Sequence, residues 1–585
     1  MIKVPTDPAA AETHLRASTG LEDFRDRLRG FQHPEFVAQV LFRSSQPEGL
    51  AAAIWRGSAY ALRQFPIRPG AELLAVFLLS DYLGSLRQVG RISEEEHHQA
   101  RTDLSHAQIL CLGEGGWLAG LALTSLYDPG LRRYIEPSIL WREPKWRPYT
   151  LTWMSLAWTA PGTWNEAQKQ NREFLYESLT RHALETQHFV PQSAFMDAYW
   201  TSDPRKYAGI RRAFVQWADS RGLVSHQPVP PRVRGVGAKP KIGIVAANWR
   251  ENHASRKALL TSIQAIRGWA EVYLVETQPD PQACYADFDG VLPVRALPTP
   301  RGTVIEDRAL AEAGLDFLYF VETYQAELDA LLALRRYAPI QATGYGIPVS
   351  TQSPNMDRFF TGSLVEGRGL RDYSELPVVL PGIGMHSTPR ESAERFEKPL
   401  GTVRVVVSAN LIKFTPEYLE ALARIAHAVP GVEWVFLPNA FHPYSLAAVR
   451  EVLTRFGNER VLWYLQTRKT YLSLLRSADL VLDAVPYSGY TTIVDAISQG
   501  VPVLTWRGTH GQERLGAAVA QLGGMPRWAI ARNLEDFEKQ AVRLLRKPWL
   551  RLLCGRRITS KRHRLFFEEH PLAFAEAIKR LLDTP

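Results

Sequence analysis

At 585 residues, 45% hydrophobic and 22% charged, the chain can bury several large cores and is too apolar to be disordered. A net charge of +9 suits an anionic ligand, but it is spread along the chain, without the Lys/Arg run of a nucleic-acid stripe. The three cysteines, Cys111, Cys284 and Cys554, lie too far apart for a metal site or a disulfide framework, and no apolar run reaches the roughly 18 residues of a membrane span. The first twenty residues carry acidic groups and no apolar stretch, so no signal peptide is expected and the expected location is the cytoplasm.

Residues 13–225 read as helices. Apolar stretches such as FVAQVLF, AELLAVFLLSDYLGSL and RRAFVQWA recur at three- and four-residue spacing. Clusters of Pro, Gly and Asp separate them, and no repeat near ~34 residues emerges. The glycine-rich piece GEGGWLAG at 113–120 has neither the spacing nor the preceding strand of a dinucleotide motif, and reads as tight helix packing. An all-α domain is therefore expected over residues 1–235, closed by the Pro/Gly/basic linker QPVPPRVRGVGAKP.

The pattern then changes to strands alternating with helices, which implies parallel, doubly wound sheets. Residues 241–246 read as a buried strand, followed by a loop with Asn248, Arg250, Glu251 and His253 and a helix at 258–268. Further strands fall at 272–275, 291–294 and 317–320, giving one half over 236–386. Past a hinge near 387–390, strands at 403–408, 433–437 and 461–464 alternate with helices at 416–429, 444–456 and 469–478 in a second half, 387–585. That half contains DAVPYSGYTTIVDAISQGVPVLT, residues 483–505: a strand end, a turn of small residues, a short helix closed by Gly500 and a second strand. A basic helical segment from 548 ends the chain. The α/β pattern of two Rossmann-like halves describes the GT-B fold of nucleotide-sugar transferases, and equally a periplasmic-type binding protein or a sugar-phosphate epimerase.

In open parallel sheets ligands bind beyond the carboxyl ends of the strands. The loop ending at His253, the segment 344–353 with Gly346, Ser350, Thr351 and Gln352, the segment 408–413 and the 483–505 unit all fall there. Hydroxyls and unpaired N–H groups at the start of a helix make an anion site, fit for a diphosphate. Lys413 can balance the charge of a leaving diphosphate, or be a solvated loop lysine. His253 can be a general base, can bind phosphate, or can be an exposed loop histidine. Asp287-Phe288-Asp289 mimics a metal-binding DxD but precedes a glycine and reads as turn chemistry. His510, Glu513 and Arg514 could meet ribose or pyrophosphate, or start a helix. Walker, zincin and nucleophile-elbow patterns are absent.

Four segments in order resemble the O-GlcNAc-transferase-like glycosyltransferases (glycosyltransferase family 41): NHASRKALLTSI, YAPIQATGYGIPVSTQSPNMD, SANLIKFTPEYLEALARI and SADLVLDAVPYSGYTTIVDAISQGVPVLT. The resemblance runs from about 240 to 580. TWMSLAWTAPGTWNEAQKQNREFLYESL and DAYWTSDPRKYAGIRRAF resemble the N-terminal domain of the bacterial cytoplasmic N-glycosyltransferases related to the high-molecular-weight-adhesin enzyme. That family implies inverting, metal-independent transfer of glucose from UDP-glucose to the Asn of Asn-X-Ser/Thr in adhesins or autotransporters, with no cofactor and no nucleic-acid partner.

By position, the resemblance makes His253 the active-site histidine and Lys413 the lysine on the UDP phosphates. It assigns Tyr490, Thr491, Thr492 and Asp495 to UDP-sugar binding, with Asn439 as a polar residue near the nucleotide. Tyr490-Thr491-Thr492 is nearer the His-Thr-Thr of the O-GlcNAc enzymes than the Thr-Asn-Gly of the bacterial ones, and Gln352 replaces a histidine of the bacterial pattern. Two alternatives therefore stand beside the N-linked expectation: an O-glycosyltransferase acting on Ser/Thr, and a non-catalytic protein-binding scaffold.

Overall fold

A computed structural model describes residues 2–4, 166–185 and 201–583, except 226, 234, 252, 300–301, 325–326, 345, 347, 368, 438–451, 458–459, 466–467, 569 and 571. Most of the helical reading of residues 13–225, GEGGWLAG and Asn439 lie outside the described residues, as does most of the 444–456 helix. Contacts divide the chain into two units: one takes the described residues of 1–189 and 409–467, the other those of 190–408 and 468–585.

The larger unit opens with helix α2, Pro204–Ser220, which begins where its sequence says it should. Asp203 accepts the Arg205 N–H at 3.0 Å as N-cap, and Pro204 occupies the first turn, where no N–H is needed. A seven-stranded, wholly parallel sheet follows. Its strands are β2 (Lys241–Val245), β3 (Glu271–Glu276), β4 (Gly290–Pro293), β7 (Phe317–Phe320), β8 (Ile340–Thr343), β9 (Arg358–Gly362) and β10 (Leu376–Leu380), in the order β10-β9-β8-β7-β2-β3-β4. A small antiparallel hairpin of β5 (Arg295–Thr299) and β6 (Gly302–Glu306) branches from it. Central β7 is buried at every position, as a strand covered on both faces must be. Val245, Val275, Leu318, Phe320 and Leu332 form the core of one face. Helix α3, Ala254–Arg267, connects β2 to β3. It starts four residues before the sequence reading, with His253 at the N-cap position and no side-chain cap bond.

The same unit holds four more parallel strands, β11 (Arg404–Val407), β14 (Leu480–Leu482), β15 (Val503–Trp506) and β16 (Ile530–Ala531). Helices α7 (Arg468–Ser477), α8 (Thr491–Ser498), α9 (Gly511–Leu522), α10 (Leu534–Arg546) and α11 (Pro548–Lys561) alternate with them or follow. Gly500 adopts φ +77°, the left-handed end expected for α8. The last helix, α12 (Ala573–Asp583), returns to the first sheet. There Phe574 meets Tyr319 and Phe360 with ring centroids 5.0 and 4.9 Å apart.

In the smaller unit, β12 (Glu433–Phe436) and β13 (Arg460–Leu465) pair in parallel, and helix α6 (Pro416–Ala428) carries Thr415 as N-cap to Tyr418 N–H at 3.2 Å. Helix α1, Glu166–Arg181, belongs here. Strand β1, Ile2–Val4, pairs antiparallel with β13, an element that the sequence reading does not anticipate. Three residues carry too little periodicity to signal a strand. Among the described residues, no helix is long and apolar enough to cross a membrane.

Candidate functional site

The carboxyl ends of β2 and β7 bring two predicted and unpredicted groups together. The loop after β2 is pinned by Trp249, whose indole N–H donates to Asp287 at 2.9 Å, and by the Arg250–Asp280 ion pair. This delivers His253 to the N-cap of α3. Directly after β7, Glu322 lies 3% exposed, its Oε1 3.9 Å from His253 Nδ1. The Ser255 hydroxyl donates to the same oxygen. Neither His253 Nδ1 nor Glu322 Oε2 has a hydrogen-bond partner among the described residues.

Burial penalises both charges. It pushes the Glu322 carboxyl up to about 7, against the pull of Ser255. It also lowers the His253 imidazole, helped by the cations Arg250 and Lys257 and opposed by the Asn248 backbone. The imidazole is therefore neutral near pH 7 and fit to accept a proton.

One turn along α3, Lys257 faces a second cluster. Asp495 of α8 is 1% exposed and is held by Arg468 in a bidentate pair at 2.6 and 2.8 Å and by Arg390 at 2.8 Å. Arg468 also lies over the Tyr471 ring at 5.4 Å. Burial, then Arg468 and Arg390, push the Lys257 ammonium down to about 8. Asp495 is thus a buried anchor for two guanidinium groups, an excess of positive charge suited to an anion.

The 483–490 turn is organised by Asp483. Its Oδ1 accepts Ala484 N–H at 2.9 Å and Gly489 N–H at 2.8 Å, and its Oδ2 accepts the Thr505 hydroxyl at 2.7 Å. Ser488 donates to Gln512 O at 3.1 Å and accepts Gly516 N–H at 2.9 Å, tying the turn to α9. The turn leaves Thr491 and Thr492 half-buried in the first turn of α8. Tyr490 is 8% exposed and shares a hydrogen bond with Ser387. His510 and Glu513 form the capping box of α9, and His510 Nδ1 pairs with Asp372 at 2.9 Å. Arg514 donates to Val365 O at 2.7 Å.

The 344–353 loop wraps a buried carboxylate. Glu375 accepts the Ser350 hydroxyl at 2.7 Å, the Thr351 N–H at 2.7 Å and the Thr351 hydroxyl. Tyr324 donates to Thr351 O at 2.6 Å. Gln352 stands at φ +60°, an uncommon backbone for a residue with a side chain, with its amide donating to Ser350 at 2.8 Å. Gly346 carries φ +100°.

Lys413 ends the short helical turn Leu411–Lys413 in the smaller unit. Asp287 and Asp289 are engaged as the turn reading implies: Asp287 by Trp249 and Arg256, Asp289 by Val272 N–H at 2.8 Å and Arg267. Among the described residues, no group of three or more His, Cys, Asp or Glu is placed to hold a metal ion. Sequence reasoning passes over Glu322, Lys257, Arg390, Arg468 and Glu375. Glu322 carries a signal in hindsight, an acidic residue abutting the apolar run FLYFV, where burial is costly unless the group has work to do. The arginines carry none, since their partner is far away in sequence.

No protein-family model matches the chain. Over 248 residues it is 28% identical to the probable UDP-N-acetylglucosamine–peptide N-acetylglucosaminyltransferase SPINDLY of Eustoma exaltatum subsp. russellianum, covering 40% of this chain and 27% of that protein. Over 262 residues it is 23% identical to the UDP-glucose:protein N-beta-glucosyltransferase of Actinobacillus pleuropneumoniae serotype 5b (strain L20), covering 43% of this chain and 42% of that protein. The chain thus spans under half the length of these curated relatives. In fold it matches a mutant of the Thermobaculum terrenum O-GlcNAc transferase at a TM-score of 0.59 and 18% identity, over 92% of this chain and 97% of that one. The chain is thus similar in sequence to protein glycosyltransferases and in fold to an O-GlcNAc transferase, with the GT-B fold that its strand–helix alternation implies.

Proposed function

We propose that this protein is a UDP-sugar-dependent protein glycosyltransferase that moves glucose, by inversion and without a metal, to the Asn of Asn-X-Ser/Thr in an adhesin-type acceptor in the cytoplasm. The observation that carries the reading is the pair of relatives: their names differ in sugar, yet both transfer from a UDP-sugar to a polypeptide. Inversion needs one displacement. The acceptor nitrogen attacks the anomeric carbon, the C–O bond breaks, and its electron pair leaves with UDP. The neutral imidazole of His253 takes the proton that the acceptor loses. Thr491 and Thr492, in the first turn of α8, hold phosphate oxygens, and Lys413 balances the developing charge.

Incubation with UDP-glucose, UDP-galactose and UDP-N-acetylglucosamine and a sequon peptide, beside its Asn→Gln twin, tests this by mass. The expected result is one added hexose on the sequon peptide alone, from UDP-glucose, and undiminished by EDTA. Equal modification of both peptides overturns the N-linkage, and no UDP release from any donor overturns the enzyme reading. Transfer to Ser/Thr is the second reading, favoured by Tyr490-Thr491-Thr492 and by the name of the Eustoma relative.

A further inference from the structure

We infer that Glu322 is the proton partner of His253: a buried positioning residue that orients the imidazole and balances the charge it gains when the acceptor's proton arrives. The inference rests on the proposed transfer for its chemical purpose, though not for its geometry. Three features of the geometry support it. Glu322 Oε1 faces His253 Nδ1 at 3.9 Å, a separation that one side-chain adjustment closes to a hydrogen bond. Ser255, two residues after His253 on the same helix, donates to that oxygen and fixes the carboxyl against the first turn of α3. Both facing groups keep a buried atom without a partner among the described residues, Nδ1 on one and Oε2 on the other. Buried polar atoms are rarely left unsatisfied, so an unpartnered Nδ1 beside this carboxyl marks a bond that forms in another protonation state.

The surroundings set the direction of proton flow. Arg250 on the loop and Lys257 on α3 face the imidazole and disfavour its cation, and the Asn248 backbone favours it. Arg390, Arg468 and Asp495 surround Lys257 in turn. On the far side Asp329, at the start of helix α5 (Glu327–Leu332), faces Glu322 and is itself fully buried, with both carboxyl oxygens unpartnered among the described residues. Burial, opposed by Ser255, makes Glu322 hold its proton up to about 7. Once it is ionised, its charge stands beside the ring opposite the cations Arg250 and Lys257. As the acceptor–C1 bond forms, the acceptor's proton passes to the imidazole. The carboxylate of Glu322 then accepts a hydrogen bond from Nδ1–H, and the proton leaves to solvent after UDP departs. The two groups titrate as a pair, not singly.

The test reads the imidazole directly. In the full chain labelled with [13C]histidine, the His253 resonance, assigned by its loss in His253→Asn, is titrated in wild type, Glu322→Gln and Glu322→Asp. The wild-type His253 resonance should show a second step near 7, as Glu322 ionises beside the ring, and Glu322→Gln should lose that step. Glu322→Asp, which withdraws the acid by one methylene, should keep a weaker step, and serves alone if Glu322→Gln does not fold. In the transfer assay, the plateau kcat should fall ~10-fold or more with KM for the UDP-sugar unchanged, and Glu322→Asp should recover part of it. An unchanged His253 titration in the folded variants overturns the inference even if transfer occurs. Loss of the step in a protein that transfers nothing supports the pairing and sinks only the proposed function.

Discussion

Lys413 and Asp495 came out of the same sequence argument and hold different positions. Lys413 closes a one-turn helix capped by Asn410, whose side chain accepts Ile412 N–H at 3.2 Å, which fixes its backbone. If it balances the charge of the leaving diphosphate, Lys413→Ala should cut turnover ~100-fold or more, the scale of losing one charge-stabilising group. The thermal midpoint should stay close to wild type, because the residue is only half-buried. Unchanged turnover would remove Lys413 from the mechanism. Asp495 was singled out only by the resemblance. Only the fold shows that Arg390 and Arg468 consume its carboxylate, making it a scaffold for cations rather than a free acceptor.

At the scale of elements, the site is made by loops that strand ends hold in place. The loop after β8 depends on Gly346, because a Cβ there would lie 2.2 Å from the Val321 carbonyl oxygen, immediately before Glu322. Its φ of +100° adds backbone strain for any other residue. Gly346→Ala should therefore lower the urea midpoint by the equivalent of roughly 2 kcal/mol or more, and should reduce kcat by displacing Glu322. A variant as stable and active as wild type would show that this loop does not support the His253 pair. The same loop is closed from the other side by Glu375, buried under Ser350 and Thr351. Such a carboxylate-centred loop has no local sequence signature, because its ligand lies more than twenty residues away.

For the whole molecule, Asp329 and Glu322 make stability fall as pH rises. Burial raises both to about 7 from ordinary values of 3.8 and 4.5. Below about pH 4 both are protonated in the folded and the unfolded chain, and neither costs anything by ionising. Between about 4 and 7 the unfolded chain releases protons that the folded chain keeps, so the stability that these groups contribute at low pH is lost. Asp329→Asn removes one of the two. Its urea midpoint should match wild type near pH 4 and exceed it at pH 8, by on the order of a few kcal/mol. An equal difference at both pH values would show that Asp329 does not hold its proton.

The order of strands and helices past residue 240 and the turn that leads into α8 were legible in the sequence. They follow from local rules: apolar runs of strand length, capping residues, and glycines at helix ends. His253 was legible as a loop histidine at a strand end. Its chemistry was not, because that depends on Glu322, 69 residues later, arriving beside it through the β2–β7 pairing. The Arg390–Asp495–Arg468 cluster and the Glu375-centred loop were equally invisible, since each joins segments distant in sequence. Local patterns determine which elements form and where their ends lie. Only the register of parallel strands decides which ends meet, which charges are buried together, and so which groups can hold or move a proton.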